Sequence, residues 1–186
     1  MNTSAERSRF SGIDRLYGAG SVERLARAHV CIVGVGGVGS WAAEALARSG
    51  VGRLTLIDAD DICLSNVNRQ LHALDGEFGR LKVEVLAERL QRINPDIQVE
   101  PVARFLTPST LDPLLLQGYD AVLDACDAFR VKVEMIAFCR RRKIPIVVSG
   151  SAGGRADPTL IEVRDLSRTE HDALLALVRK KLRAEF

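Results

Sequence analysis

Asp58, Asn66, Arg69, Gln70 and Lys82 stand downstream of a glycine-rich turn at spacings that suit chemistry on a phosphate. The turn is Gly34-Val35-Gly36-Gly37-Val38-Gly39, and it follows the apolar run Val30-Cys31-Ile32-Val33. A strand that runs through glycines into a helix aims backbone N–H groups and the positive helix end at an anion, and the missing side chains let phosphate come close. Gly34, Gly36 and Gly39 satisfy the dinucleotide fingerprint, and Gly37 enriches it. Asp58, with Asp60 beside it, ends the next apolar run where a carboxylate can accept hydrogen bonds from ribose hydroxyls, which suits NAD and ATP equally. Ser65-Asn66-Val67-Asn68-Arg69-Gln70 separates the two. Hydride transfer has little use for a guanidinium, an amide and a following lysine beside the phosphates. Displacement at phosphorus does: attack of a carboxylate on the α-phosphorus builds negative charge on the phosphoryl oxygens and on departing pyrophosphate, and fixed cations lower that barrier. Arg69 and Lys82 are the candidate donors. Each residue also has an ordinary structural alternative. Asp58 or Asp60 could cap a turn, Asn66 or Asp127 a helix, Arg69 could be solvated, and Lys82 could pair with Glu84 or a neighbour.

These residues need elements to carry them. Apolar runs bounded by turn residues predict strands over 30–33, 54–57, 97–102, 121–123, 144–148 and 160–163. Helical periodicity fills the intervals 38–49, 80–93, 108–117 and 128–142, and a further amphipathic helix spans 168–186. Asn94-Pro95 stops the second of them. The alternation predicts an α/β fold: a Rossmann-like, mostly parallel sheet with helices on both faces and the nucleotide at the C-terminal edge of the strands. One domain covers 1–186, with an N-terminal arm and helix (1–28), the Rossmann-like core (29–165) and a segment starting a crossover or C-terminal region (166–186).

Composition narrows the class. Twenty-six Lys and Arg against 24 Asp and Glu give a formal charge of +2, too balanced for a general nucleic-acid coat but compatible with a local basic patch. Arg140-Arg141-Arg142-Lys143 and Arg179-Lys180-Lys181 with Arg183 are the candidate patches. The four cysteines lack metal-ligand or secreted-disulfide spacing and read as reduced thiols of a cytoplasmic protein, with Cys126 inert at a strand end. His29, His72 and His171 have no metal-ligand spacing, and His29 reads as structural. Trp41 reads as a core or subunit contact rather than a base-stacking platform. No apolar run suits a signal peptide or reaches the roughly 18 residues of a membrane span, so no membrane association is expected.

Five ordered motifs carry a resemblance: the 34–39 turn, Asp58-Ala59-Asp60, Asn66-Val67-Asn68-Arg69-Gln70, Gly79-Arg80-Leu81-Lys82 and Asp124-Ala125-Cys126-Asp127. Together they resemble the adenylation domain of the ubiquitin-activating-enzyme-like superfamily. The stretches 9–18, 37–48, 139–145 and 151–158 are similar to one branch, the tRNA threonylcarbamoyladenosine dehydratases. The resemblance implies that ATP activates the carboxylate of N6-threonylcarbamoyladenosine in tRNA as an acyl-adenylate, after which the same group cyclises to cyclic t6A and expels AMP. It implies that Asp58 holds the ribose, Asn66, Arg69 and Gln70 the phosphates, Lys82 the α-phosphate region and Asp127 a Mg2+ ion. It also implies a homodimer in which Arg15 reaches into the neighbouring ATP site, and a sulfur-transfer partner (a cysteine desulfurase or sulfur acceptor). The absence of paired C-x-x-C motifs favours this branch. Two other readings share the motifs: an adenylyltransferase for the C-terminal glycine of a ubiquitin-like sulfur carrier, and a nucleotide-binding but inactive fragment acting as an interaction module. The family pattern continues beyond Phe186, so the chain reads as C-terminally truncated.

Overall fold

The computed structural model describes residues 4–186, with side chains from Arg9 onward. Two helices, α1 (Ser4–Tyr17) and α2 (Ser21–Arg27), lead into β1 (His29–Val33), α3 (Gly39–Arg48), β2 (Arg53–Ile57), α4 (Lys82–Ile93) and β3 (Gln98–Val102). A short α5 (Leu111–Leu115), β4 (Ala121–Asp124), α6 (Phe129–Arg142), β5 (Ile146–Val148) and α7 (Ala173–Glu185) follow. The sheet order is β3-β2-β1-β4-β5 and every pairing is parallel. The chain therefore reverses direction across the sheet between β1 and β4, which opens a crevice beyond the C-terminal ends of those two strands.

Both faces are covered. Ile32, Leu54 and Leu56 pack with Ala43 and Ala47 of α3 and Val83, Leu86 and Leu90 of α4. Cys31, Val33, Ile57 and Val122 pack on the other side with Leu114 and Leu115 of α5 and Met135, Phe138 and Cys139 of α6. Successive residues of β1 thus serve opposite cores, which is why its sequence is continuously apolar rather than alternating.

Helix ends follow local chemistry. Helix α4 stops at Ile93, with Asn94 extended before Pro95. Helix α5 is shorter than its periodicity predicts because the hydroxyls of Thr107, Ser109 and Thr110 bond one another and nearby backbone, and Gly118 ends the segment at positive φ. Helix α7 starts at Ala173 rather than at 168, because the Asp172 carboxylate accepts from Leu175 N at 2.8 Å and caps it there.

The strand expected over 160–163 does not form. Pro158–Leu160 is a 3-10 turn, and Leu160, Ile161 and Val163 are exposed with no strand beside them among the described residues. An apolar run becomes a strand only where a neighbour completes its hydrogen-bond ladder.

Candidate active site

The crevice between β1 and β4 opens into a cleft of about 840 Å³, within the range of about 300–1,000 Å³ that takes small ligands. Gly34, Gly36, Gly37, Asp58, Asp60, Asn66, Arg69, Gln70, Lys82 and Asp127 all line it. Residues as far apart in sequence as Gly34 and Asp127 are gathered because each lies after a strand, in the loop that follows it or at the start of the next helix.

The glycines divide the work. Gly34 turns at φ +84°, and a Cβ there would meet Ala125 O at 2.9 Å. A Cβ on Gly39 would lie 1.9 Å from Gly34 O. Gly39 therefore permits close packing of α3 on the turn. Gly36 is the open one: its Cβ would meet only Gln70 Nε2, at 3.7 Å, an ordinary contact.

Asp58 fastens this turn. Its Oδ2 accepts from Val35 N at 2.8 Å and its Oδ1 from Asp60 N at 2.9 Å, so it ties the end of β2 to the glycine loop and keeps further lone pairs for a ligand. Asn66 closes the 3-10 turn Leu64–Asn66, its Oδ1 accepting from Cys63 N. That turn presents Arg69, whose Nη1 donates to Ser65 O and Asn68 Oδ1, both at 2.9 Å, while the side chain stays exposed along the cleft. Trp41 is exposed rather than in the core, and its Nε1 donates to Arg69 O at 3.0 Å.

Lys82 is buried at the first turn of α4 and its Nζ lies 2.7 Å from Asp60 Oδ2. A cation at a helix N-terminus is opposed by the helix dipole, and burial adds a desolvation cost. Asp60 offsets both, so Asp60 acts on the lysine directly, whatever else it meets. Arg15 does not reach the cleft of its own subunit; it is exposed in the last turn of α1.

A buried network behind the site joins the Asp124–Asp127 motif to Lys132, which carries no motif signal. Asp124 ends β4 wholly buried, with Lys132 of α6, equally buried, 2.8 Å from its Oδ2. The contact is an ion pair without aligned hydrogen-bond geometry. Lys132 also donates to Ser149 O at 3.2 Å, and Asp124 Oδ1 accepts from Cys126 N and Sγ. This network fixes the loop that carries Asp127, which is exposed at the cleft mouth. Burial pushes the Cys126 thiol up to about 12, so it is not a thiolate at neutral pH and the expectation that it is inert stands. Arg104, Phe105 and the loop from Ser149 to Gly153 also line the cleft. His29, as expected, is structural, bonded through Nε2 to Thr55 Oγ1.

His72 lies beneath the cleft. It is fully buried, and burial together with the nearby Lys82 ammonium lowers its pKa to about 4. A depressed folded-state pKa contributes stability that is complete above the unfolded value near 6.5 and is lost as the pH falls toward 4. Urea midpoints measured across that window should fall by the equivalent of about 3 kcal/mol, and the fall should flatten in His72→Gln.

The basic clusters are partly committed to packing. Arg142 pairs with Asp112 and stacks on Phe138, Arg141 lies over Phe186, and Arg179 donates to Thr169. Helix α6 leaves the cleft at Phe129 and runs 14 residues, so Arg140 to Lys143 lie some 20 Å from its start.

Comparison with known proteins sets this geometry in a lineage. The model of the ThiF family matches residues 11–180. The chain belongs to the ThiF family. Among its relatives there, it is 51% identical over 184 residues to the tRNA threonylcarbamoyladenosine dehydratase of Escherichia coli K12, across 99% of this chain and 69% of that protein. It is 52% identical over 178 residues to the Haemophilus influenzae protein of the same name, across 96% of this chain and 68% of that one. The crystal structure of the E. coli tRNA N6-threonylcarbamoyladenosine dehydratase in complex with ATP superposes with a TM-score of 0.97 at 50% identity, over 100% of this chain and 76% of that one.

Proposed function

We propose that this ThiF-family chain uses ATP to activate the carboxylate of N6-threonylcarbamoyladenosine in tRNA, which then loses water to give cyclic t6A. The observation that carries the reading is one cleft that gathers the glycine turn, Asp58 at the end of β2 and the cations Arg69 and Lys82. Likeness to the dehydratases over 99% of the chain supports a tRNA carboxylate over the C-terminus of a sulfur carrier.

In this reading the triphosphate lies along the Gly36-Gly37 backbone, with the ribose on Asp58. The substrate carboxylate attacks the α-phosphorus, the bond to the β-phosphate breaks, and pyrophosphate leaves. Arg69 and Lys82 face the charge that builds on the phosphoryl oxygens, already fixed in place by Ser65 O and Asp60. A nitrogen or oxygen of the same short chain then attacks the activated carbonyl and AMP departs with the former carboxylate oxygen, a closure favoured by proximity.

Among the described residues no cluster of three His, Cys, Asp or Glu could cage a metal. A single exposed carboxylate, Asp127, is the donor set expected for Mg2+ shared with phosphates, and the ion would neutralise phosphate charge. The reading extends to a homodimer in which Arg15 serves the neighbouring cleft, to tRNA phosphate contacts at Arg140 to Lys143 and Lys180 to Arg183, to a sulfur-transfer partner, and to a cytoplasmic setting.

Exchange of labelled pyrophosphate into ATP, tested with threonylcarbamoylated tRNA and separately with a sulfur-carrier protein, checks it. Exchange with the tRNA alone is expected; exchange with the carrier alone overturns it. Gly36→Val tests the cradle. Its Cβ has room in the folded protein, so the melting temperature should hold while ATP binding weakens by more than about 100-fold, since the branched side chain occupies phosphate space.

A further inference from the structure

Gln70 is buried against the cleft floor, and its amide bridges two environments. Its Oε1 lies 3.1 Å from His72 Nε2, and its Nε2 faces the glycine turn, 3.7 Å from where a Gly36 Cβ would stand. His72 has no exposed surface, and among the described residues its buried Nδ1 has no hydrogen-bond partner.

An amide oxygen can only accept, so this arrangement requires the proton of neutral His72 on Nε2 and a bare Nδ1. The opposite tautomer would require the Gln70 NH2 to donate to Nε2, turning the amide oxygen toward the glycine turn. It would also bury an N–H rather than a lone pair without a partner. Burial and the nearby Lys82 ammonium separately disfavour the doubly protonated ring. The tautomer of one imidazole therefore decides whether the cleft floor presents a donor or an acceptor to an anion.

We propose that His72 is a positioning residue: as the Nε2–H tautomer it donates to Gln70 Oε1 and thereby directs the Gln70 NH2 toward the glycine turn, where it donates to a phosphate oxygen. The inference rests on the reading that a nucleotide phosphate lies on that turn. It adds that Gln70 alone does not define the contact, and that the sign of its dipole is set one layer below the ligand.

The tautomer is measurable without nucleotide. Ring 15N NMR of the free protein at pH 7 should show Nε2 protonated and Nδ1 bare; a proton on Nδ1 overturns the proposal, whether or not ATP binds. Calorimetric titration with ATP then reads the consequence. His72→Leu should weaken binding roughly 3- to 10-fold, the worth of one oriented hydrogen bond. His72→Gln, which can place an N–H near the lost Nε2, should recover affinity to within about twofold of the parent. In a Gln70→Ala background, His72→Leu should add no further loss. A folded His72→Leu protein with parental affinity, or losses that add in the double variant, would overturn the proposal. A parent protein that fails to bind ATP would instead refute the nucleotide reading, while the NMR result would still judge the tautomer.

Discussion

Arg69→Ala should lower adenylation by roughly 10²- to 10³-fold while leaving the fold intact. The guanidinium is exposed along the cleft and bonds only within its own turn, to Ser65 O and Asn68 Oδ1. Its removal therefore opens no cavity and orphans no buried group, and a stability change within about 0.5–1 kcal/mol is expected. The lost term is charge stabilisation that matters most when pyrophosphate departs. Single-turnover formation of the acyl-adenylate, followed beside a thermal melt, separates the two effects. Parental turnover, or a large fall in melting temperature, would remove Arg69 from the role given to it.

Lys132→Met should have the larger effect on folding. Lys132 and Asp124 are both wholly buried and 2.8 Å apart, and removing one partner of such a pair typically costs about 3–5 kcal/mol because the other charge stays behind. Total stabilities run near 5–15 kcal/mol, so a large share of this domain's margin is at stake. Burial already raises the Asp124 pKa and the neighbouring ammonium lowers it. Losing the lysine raises it further, so the deficit should shrink as the pH falls and the carboxyl becomes neutral. Denaturant melts of Lys132→Met at two pH values, with Lys132→Met/Asp124→Asn alongside, check this. A deficit that grows in acid, or a double variant no better than the single, would contradict it.

These predictions differ in how far the sequence announces them. Arg69 and Lys82 are legible because cations beside a glycine turn have few other uses, and Asp58 because its distance from the turn is fixed by one helix and one strand. The parallel sheet is legible because apolar runs alternate with 3.6-residue periodicity. Lys132 is not: a lone lysine in a helix reads as a solvated charge, and only the arrival of Asp124 from β4 makes it an internal one. His72 is silent for the same reason, since its partner is an amide two residues away whose orientation no spacing reveals. Gly39 fits the fingerprint, and the structure adds a packing reason that no spacing shows, since a Cβ there would run into Gly34 O. The 160–163 run fails as a strand because the pattern reports what could be buried and not whether a neighbour is there to bury it.

The central claim is that a carboxylate of the substrate attacks the α-phosphorus of ATP in this cleft. Threonylcarbamoylated tRNA carrying 18O in that carboxylate, turned over with unlabelled ATP, tests it in one mass measurement of the released nucleotide. The label should appear in the phosphate of AMP, because the attacking oxygen leaves with it when the ring closes. Unlabelled AMP, or ADP and labelled inorganic phosphate in its place, would contradict the mechanism.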